Sequence, residues 1–437
     1  MAAWTTSSNE ALTISLVRPT EDKASLGEEE SYENFHPTFT YPIYGEEEKI
    51  YGYEGLTIDL RFASGSLVPY LSVNYSAKLP STSTVDDVEG TLSQFIPSDY
   101  LTDETAFLAQ VEQDGTTFKP SGQLIHSYVR LSPLAAANGK GKAAANTQQT
   151  LDSEDANAVV YEVYHTTWDT PGFREYHRRM QLFILLYIEG GSYINEEEDS
   201  WEFAVLYEKR KRQSTPGTST YHFVGYSSLY PFFHFPESVR LRLSQFVILP
   251  PYQRQGHGSE LYDAIYNYVL SQPTITELTV EDPAEAFEDL RDRNDLKMLL
   301  SHEVFISEAF GADTLSHGGG RVGGVGRAGR SGKGGVSKSA PGKMGPPVDK
   351  LWAENWRKKL KIAGRQFQRL IEILILSKLD PIDPRPMRAY RLQVKERLYR
   401  FNFETLAQLE KSERLEKLEE TFQNVCEDYQ RILSMVQ

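Results

Sequence analysis

The stretch from Leu241 to Asp282 constrains the fold of this 437-residue chain more than any other. It begins with a strand of buried type at Leu243–Leu249, which the prolines at 250 and 251 bring to an end. A helix follows from about Ser259 to Leu270, because apolar residues recur there at every fourth position, and a second strand covers Thr276–Val280. This order of elements predicts an α/β fold with a sheet at its centre.

The loop between the first strand and the helix carries Gln253, Gly256 and Gly258. These residues fit the pattern Gln/Arg-x-x-Gly-x-Gly/Ala, in which glycines let main-chain amides close around a diphosphate at the positive end of a helix. The loop therefore predicts a site for an anionic cofactor.

The sequence around this loop, SQFVILPPYQRQGHGSELYDAIY followed by LTVEDPAEAFEDLRDRND, resembles the GNAT acetyltransferase superfamily and, within it, the type B histone acetyltransferases. The resemblance extends from roughly Glu46 to Asp295, and more loosely into the carboxyl-terminal helices. It implies an α/β fold: a GNAT acetyltransferase core with a mixed sheet, an amino-terminal α/β domain and a helical carboxyl-terminal region. It also implies acetyl-CoA as the co-substrate.

Composition narrows the class of protein. Hydrophobic residues make up 40% of the chain, which is typical of globular proteins, and the length suffices for two or three domains. The single cysteine, Cys426, excludes an internal disulfide and suits a reducing compartment. The net charge of −15 argues against a protein that mainly binds DNA, and it is compatible with a basic polypeptide partner or with ordinary solubility. With no leader at Met1 and no apolar run longer than Leu182–Ile188, we expect an intracellular protein without a membrane span.

The chain order predicts six segments. They are a flexible acidic start at 1–34, an amino-terminal α/β domain at 35–134, a flexible insertion at 135–157, a GNAT domain at 158–315, a Gly-rich basic linker at 316–348 and a helical domain at 349–437. Within the GNAT domain, Leu182–Ile188 and Trp201–Glu208 are expected as two strands joined by a hairpin turn, and Tyr221–Leu229 as a third. The last helix is expected to pack through a seam formed by Leu415, Leu418, Phe422, Val425, Tyr429, Ile432 and Val436.

Two acidic positions are candidates for the chemistry. Glu281 and Asp282 follow the second strand directly, and Glu189 ends the apolar run LFILLYIEGG. Direct attack on a thioester needs a neutral amine, so a carboxylate must take the proton of lysine, and partial burial would raise the pKa of that carboxylate. From residue type alone, Glu281 and Asp282 before Pro283 favour a helix cap, and a lone carboxylate at Glu189 is more often a solvated strand end. The resemblance implies Glu281 as the general base, with Glu189 and Asp282 as further catalytic acids.

The resemblance also implies binding residues for both substrates. The main chain at Phe246, Val247 and Ile248 would hold the pantetheine arm. The diphosphate would lie on Gln253, Arg254, Gln255, Gly256, His257, Gly258 and Ser259, and the nucleotide end on Arg293. The histone tail would contact Tyr230, Pro231 and Phe232, together with an acidic edge at Glu46, Glu47 and Glu48. The alternatives are an aromatic core strand, a solvated acidic loop and, for Arg293, a surface salt bridge.

The implied reaction is acetyl transfer from acetyl-CoA to lysine ε-amines in the amino-terminal tail of newly made histone H4, before its deposition in chromatin. A WD-repeat histone chaperone is the expected partner, the expected location is cytoplasm and nucleus, and no sequence-specific DNA contact is expected. No metal is predicted, since His302 and Glu303 lack the second histidine of a zinc protease helix. The competing hypotheses are a GNAT enzyme with a different amine acceptor and a non-catalytic histone-binding module.

Overall fold

The computed structural model describes residues 4–27, 30–80, 82–131, 158–215, 217–311, 342–380 and 382–436. These residues form two compact units. The first comprises Met1–Phe233 and Leu241–Tyr268, and the second His234–Arg240 and Val269–Gln437. The predicted insertion at 135–157 and residues 316–341 of the predicted linker lie outside the described residues.

The strands are β1 (Thr5–Ser7), β2 (Leu12–Val17), β3 (Lys49–Tyr51), β4 (Tyr53–Glu54), β5 (Thr57–Ala63), β6 (Pro69–Asn74), β7 (Ala77–Lys78), β8 (Gln123–Leu131), β9 (Ala158–Thr167), β10 (Glu202–Lys211), β11 (Ser219–His234), β12 (Ser238–Ile248) and β13 (Ile275–Val280). The helices are α1 (Ser8–Ala11), α2 (Thr20–Ala24), α3 (Tyr41–Tyr44), α4 (Val88–Leu92), α5 (Glu104–Thr117), α6 (Phe173–Met180), α7 (Leu182–Tyr187), α8 (His257–Ser271), α9 (Glu285–Ser301), α10 (Glu303–Phe310), α11 (Lys350–Lys359), α12 (Gly364–Lys378), α13 (Pro384–Phe401), α14 (Phe403–Ala407) and α15 (Lys411–Val436).

The first unit is built around two sheets. The larger has the strand order β12-β11-β10-β9-β8 within this unit, and β8 to β11 pair antiparallel. The smaller has the order β2-β5-β6, with β2 parallel to β5 and β5 antiparallel to β6. Strand β10 lies in the interior of the larger sheet, and its residues Phe203 and Leu206 are fully buried. The predicted mixed α/β core is therefore confirmed.

Residues 1–34 were predicted to be flexible, but strand β2 lies within them and is part of the smaller sheet. Its sequence LTISLV is nearly continuous in apolar residues, and all but Thr13 are buried. Strand β5 pairs with one edge of β2, while on the other edge Ile14 bridges Phe35 and the Leu16 amide donates to the Tyr32 carbonyl at 2.8 Å. A strand buried on both faces lacks the alternation of a half-exposed strand, so periodicity does not reveal it.

The prediction of a strand at Leu182–Ile188 is wrong. This run forms helix α7, which follows α6 after Gln181 alone, and the Ile188 amide donates to the Ile184 carbonyl at 3.0 Å. Residues Leu182 to Leu186 are all buried, so the helix is apolar on every side and gives no helical period. The acidic sequence NEEEDS is accordingly a loop from α7 to β10 rather than a hairpin turn.

Strand β8 ties the end of the predicted amino-terminal domain to the larger sheet. It pairs antiparallel with β9, with Leu131 opposite Ala158 and Tyr128 opposite Tyr161. Residues 123–131 therefore belong to the sheet that carries the candidate site, although the predicted boundary placed them in the preceding segment.

The second unit is mainly helical, which confirms the predicted helical carboxyl-terminal region. Strand β13 lies beside the start of β12, where the Val239 amide donates to the Thr274 carbonyl at 2.9 Å. Helix α15 packs on α9, α12 and α13 through Leu418, Phe422, Tyr429 and Ile432, whereas Leu415 of the predicted seam is 56% exposed. Residues 342–348 of the predicted linker are packed rather than free: Met344 is buried, and its amide donates to the Ala309 carbonyl at 3.0 Å.

Candidate active site

Strand β12 leads directly into the glycine loop, and two hydrogen bonds fix the chain where the strand ends. The Leu249 amide donates to the Val224 carbonyl at 3.0 Å, and the Gln253 Nε2 donates to the Ile248 carbonyl at 2.8 Å. The register between β10 and β11 shifts between Leu206 and Tyr207, which marks a bulge in β11 next to Gly225. A Cβ on Gly225 would lie 2.2 Å from the Val247 carbonyl oxygen, so only glycine allows β11 and β12 to come this close.

The three predicted pantetheine residues lie on this part of β12. The side chains of Val247 and Ile248 are buried in the core, and Phe246 is half-buried. Their side chains thus serve packing, which leaves the main chain as the group that could contact a cofactor. That main-chain role stays a prediction.

The loop itself has the backbone geometry of an anion cradle. Gly256 has φ +84° and Arg254 has φ +61°, both in the left-handed region that turns successive amides toward one point. Helix α8 begins at His257, two residues earlier than predicted, so the amides of His257, Gly258 and Ser259 lie in its first turn. Amides of a first turn lack partners within the helix and lie at its positive end, which suits a diphosphate.

The His257 side chain lies in the core rather than in the loop. Its Nδ1 is 2.7 Å from the Tyr128 hydroxyl, and its ring centroid is 4.4 Å from that of Tyr161. Burial, assisted by the charge of Arg130, lowers the pKa of His257 to about 4, so the imidazole is neutral at neutral pH. Of His257, only the main chain is placed to contact an anion on the loop.

A buried ion pair of Arg18 and Glu208 holds Tyr252, which directly precedes the loop. The Arg18 guanidinium donates to the Glu208 carboxylate at 2.6 Å and to the Tyr252 hydroxyl at 2.7 Å, and that hydroxyl is 2.9 Å from Glu208. Burial opposes ionisation of Glu208, yet the charges of Arg18 and Arg210 hold its pKa well below the usual range. Sequence reasoning missed this support because the residues are far apart in the chain.

A pocket of about 400 Å³ adjoins β12 in the first unit. Its lining includes Ile184, Ile188, Gly190, Gly191, Ser192, Tyr193, Ile194, Asn195, Trp201, Ser244 and Gln245. Glu189 lies in the chain between two of these residues, Ile188 and Gly190, and is exposed. Gln245 donates from its Nε2 to the Ser192 carbonyl at 2.8 Å, so β12 and the loop after α7 are joined at the pocket.

Trp201 connects this pocket with the predicted histone-tail residues. Its ring centroid lies 4.8 Å from that of Tyr230, which in turn lies 4.9 Å from that of Phe232. Tyr230 and Pro231 are half-buried and Phe232 is 40% exposed, so this end of β11 is not simply core. The Trp201 Nε1 is buried, and it has no hydrogen-bond partner in the part of the chain that the structure describes. Sequence reasoning missed Trp201, whose position beside an acidic loop was its only signal.

The predicted acidic edge divides into two kinds of residue. Glu46 and Glu47 are exposed, whereas the Glu48 carboxylate accepts from the Thr40 amide at 2.7 Å and from the Asn9 Nδ2 at 2.8 Å. Glu48 therefore fixes its own loop and is not available to a basic tail. Helix α3, which precedes this loop, is joined to the pocket, because the amide of the lining residue Gly190 donates to the Tyr41 hydroxyl at 2.6 Å.

Glu281 and Asp282 lie in the second unit at the end of β13, and both are exposed, so the partial burial expected for the base is not present in the chain alone. Asp282 has φ +44°, a strained conformation for a residue with a side chain. The N-cap of α9 is Ala284, without a side-chain hydrogen bond, so Asp282 does not cap that helix. Arg293 is half-buried in the middle of α9, and its role stays a prediction.

Neither a metal centre nor a membrane-spanning helix is present among the described residues. Within the seven described ranges, His, Cys, Asp and Glu side chains form no group of three that could hold a metal ion. Across the same ranges, no helix combines the length and apolarity needed to cross a membrane.

The sheet, the strand-loop-helix arrangement at Gly256 and the adjoining pocket define an acetyltransferase of the GNAT class. The model of the acetyltransferase (GNAT) family matches residues 161–287. The model described as histone acetyl transferase HAT1 N-terminus matches residues 4–189, and that of the fungal HAT1 C-terminal region matches residues 340–380.

Curated relatives extend this match over nearly the whole chain. A protein of Cryptococcus neoformans (strain JEC21) is 50% identical over 99% of this chain and 98% of its own length. Proteins of Mycosarcoma maydis (46% identical over 90% and 82% of the two chains) and Candida albicans (34% identical over 98% and 90%) also match. All three are named histone acetyltransferase type B catalytic subunit. The chain belongs to the family of type B histone acetyltransferase catalytic subunits, which confirms the predicted enzyme class and its use of acetyl-CoA.

Proposed function

We propose that this histone acetyltransferase acts on lysine ε-amines in the amino-terminal tail of newly synthesised histone H4, before the histone is deposited in chromatin. The observation that carries the proposal is the pocket beside β12, which Trp201 lines and whose neighbouring chain segments carry exposed carboxylates. Both features suit a basic peptide in extended conformation.

The rim of the pocket is acidic. Glu189 is exposed beside the pocket, and Glu197 and Glu198 are exposed in the loop that follows its lining residues. Across this loop, Glu196 is engaged by Arg178 at 2.8 Å, so it contributes less charge to solvent. Exposed carboxylates around a cleft raise the local concentration of a positively charged segment, and they do so most strongly at low ionic strength.

Trp201 lines the same pocket, and its Nε1 is a buried donor. Buried donors in proteins are nearly always paired, so the unpartnered Nε1 suits an acceptor that arrives with a ligand. A peptide carbonyl of the histone tail is such an acceptor. The adjoining rings of Tyr230 and Phe232, which are tilted against each other, would continue the contact along the tail.

The chain's own residues would divide the reaction between binding and proton removal. Acetyl-CoA supplies the activated acetyl group when bound. The amides around Gly256 would bind its diphosphate and the main chain of Phe246 to Ile248 its arm. Glu281 would remove the proton of the attacking lysine, with Glu189 and Asp282 assisting in orienting the amine. Enclosure by the two substrates would supply the desolvation that the exposed Glu281 lacks in the free chain.

Mass spectrometry of histone tails tests the proposal. The protein is incubated with acetyl-CoA and either free H4, free H3 or a small polyamine, and each product is mapped. The proposal predicts acetyl-lysine in the H4 tail at rates well above those of the other acceptors. Acetylation of the polyamine with H4 unmodified would instead support a GNAT enzyme with another acceptor, and no product would support a binding module.

Trp201→Phe isolates the indole donor within this assay. Loss of one hydrogen bond should raise the KM for an H4 peptide by about five- to tenfold while the KM for acetyl-CoA stays unchanged. Trp4→Phe, which alters a half-buried tryptophan outside the pocket lining, is the matched control. Equal KM values for the H4 peptide in both variants would remove Trp201 from tail binding.

The remaining parts of the proposal rest on the resemblance alone. They are a WD-repeat histone chaperone as partner and a location in both cytoplasm and nucleus. Gel filtration of the chain mixed with a recombinant WD-repeat histone chaperone tests the first, and separate elution would contradict it. Fluorescence microscopy of a tagged chain tests the second, since signal confined to one compartment would contradict it.

A further inference from the structure

Three side chains of β8 lie against the first turn of α8. His126, Tyr128 and Arg130 alternate along the strand, so they share one of its faces. The His126 Nε2 is 3.1 Å from one Glu260 oxygen, the Arg130 Nη2 donates to the other at 3.1 Å, and the Tyr128 hydroxyl contacts His257. An edge strand thus brings two basic side chains to the helix end where the diphosphate is expected.

Arg130 reaches furthest into the loop. A Cβ built on Gly256 would lie 3.0 Å from the Arg130 Nη2 and 3.5 Å from its Nη1, so the guanidinium is in contact with the central glycine of the cradle. The Arg130 side chain is 36% exposed and can present donors to a ligand. Its Nε is buried and has no hydrogen-bond partner within the described ranges, so its hydrogen-bonding capacity is not fully used.

We propose that Arg130 is a binding residue for the diphosphate of acetyl-CoA and that Glu260 is its resting counter-ion, which it exchanges for the diphosphate when the cofactor binds. This inference rests on the proposed placement of the diphosphate on the loop. Guanidinium matches the fork of two phosphate oxygens, so the exchange replaces a single contact to Glu260 with a bidentate one.

Glu260 fits the part of a resting partner. It lies in the first turn of α8, where the positive end of the helix stabilises its carboxylate while no ligand is present. Burial opposes its ionisation, but the hydrogen bond with His126 and the charge of Arg130 lower the pKa of Glu260, so it is a carboxylate at neutral pH. An arriving diphosphate therefore competes with Glu260 for the same helix end and the same arginine.

Calorimetric titration with CoA tests this exchange through the signs of two effects. Arg130→Gln should weaken binding about tenfold or more, since a charge-assisted contact is lost. Glu260→Gln should instead tighten binding about two- to threefold, because it frees Arg130 and removes a like charge. If the pair only braced the helix, both variants would weaken binding. That result, or no change in either variant, would overturn the inference.

A control variant and a second ligand accompany these titrations. Arg178→Gln removes an exposed arginine of α6, which pairs with Glu196, and it should leave the Kd for CoA unchanged. With 3′-dephospho-CoA, Arg130→Gln should lose the same factor as with CoA, whereas a loss confined to CoA would place Arg130 on the 3′-phosphate and contradict the diphosphate contact. Gly256→Glu serves as the reference for the loop. If it abolishes binding while the Arg130 variant does not weaken it, the inference fails and the loop assignment stands; if neither changes binding, both fail.

Discussion

The part of the candidate site that would bind acetyl-CoA, the donor side, and the part that would bind the histone tail, the acceptor side, are built from different kinds of chemical group. On the donor side, the loop at Gly256 is fixed by main-chain geometry and by the buried side chains of Tyr252 and His257. On the acceptor side, Glu189, Glu197 and Glu198 are exposed carboxylates in the chain segments next to the pocket of the first unit. The proposed base, Glu281, belongs to the second unit and is exposed as well. The first arrangement is preorganised, whereas the second depends on charge and on the substrate that arrives.

This difference predicts how each side responds to change. A cradle made of main-chain amides has no flexible substitute, so a single alteration there should remove binding. Exposed carboxylates act through a screened field, so each should contribute little and should depend on salt. A catalytic base is the exception on the acceptor side, because proton transfer is required in every turnover.

The largest effect is expected at Glu281. Glu281→Gln removes the proposed base and should lower kcat with an H4 peptide by about two to four orders of magnitude. Steady-state kinetics at saturating acetyl-CoA measures it. Glu285→Gln, an equally exposed glutamate at the start of α9, is the control and should retain kcat. Equal turnover in the two variants would remove Glu281 from the mechanism.

The next effect is expected at the loop. Gly256→Glu forces a side chain into the left-handed region at φ +84° and puts a negative charge beside the diphosphate, so the Kd for acetyl-CoA should rise by at least about two orders of magnitude. Gly172→Glu imposes a similar strain at φ +76°, with open space around it, before α6. An equal loss of acetyl-CoA affinity in both variants would show that backbone strain, and not a diphosphate contact at Gly256, explains the loss.

A third effect concerns the stability of the donor side. Unfolded histidine gains a proton near pH 6.5, whereas folded His257 gains it only near pH 4, so between these values the unfolded state holds more protons and stability falls with falling pH. His257 should contribute a slope of about 1.4 kcal/mol per pH unit at most. Denaturant titrations at several pH values should show a shallower slope of stability against pH for His257→Gln than for the unaltered chain. Equal slopes for the variant and the unaltered chain would contradict a neutral buried imidazole.

The smallest effect is expected from the acidic rim. Replacing Glu197 and Glu198 together with glutamine should raise the KM for an H4 peptide about two- to threefold at low salt and hardly at all at high salt. Replacing the exposed pair Glu413 and Glu416 on α15, neither of which lines the pocket, gives the same change in net charge. If this control raised the KM equally, general charge and not the rim would attract the tail.

The sequence predicted features that depend on neighbouring residues better than features that depend on burial in the folded chain. The loop was predictable because three residues within six positions determine its backbone, and helix α8 begins within two residues of the predicted start. Helix α7 and strand β2 were not, because both are buried on all sides and so lack the periodicity that distinguishes helix from strand.

Residues joined only by the tertiary structure were also beyond reach. Arg18 supports Tyr252 from a distance of 234 positions in the chain, and Arg130 meets Glu260 from 130 positions away. Neither pair has a spacing that a motif could encode. Glu48 shows the reverse error, since three adjacent glutamates suggest one acidic edge although the structure commits one of them to its own loop.

In the proposed mechanism, separate residues bind the cofactor and remove the proton. Calorimetric titration of Glu281→Gln with acetyl-CoA tests this separation, because it measures whether a variant without the base still binds the donor. We expect a Kd within about twofold of that of the unaltered chain, since the proposed diphosphate contacts belong to the loop at Gly256 and to Arg130 and not to Glu281. A loss of binding as large as that of Gly256→Glu would contradict it.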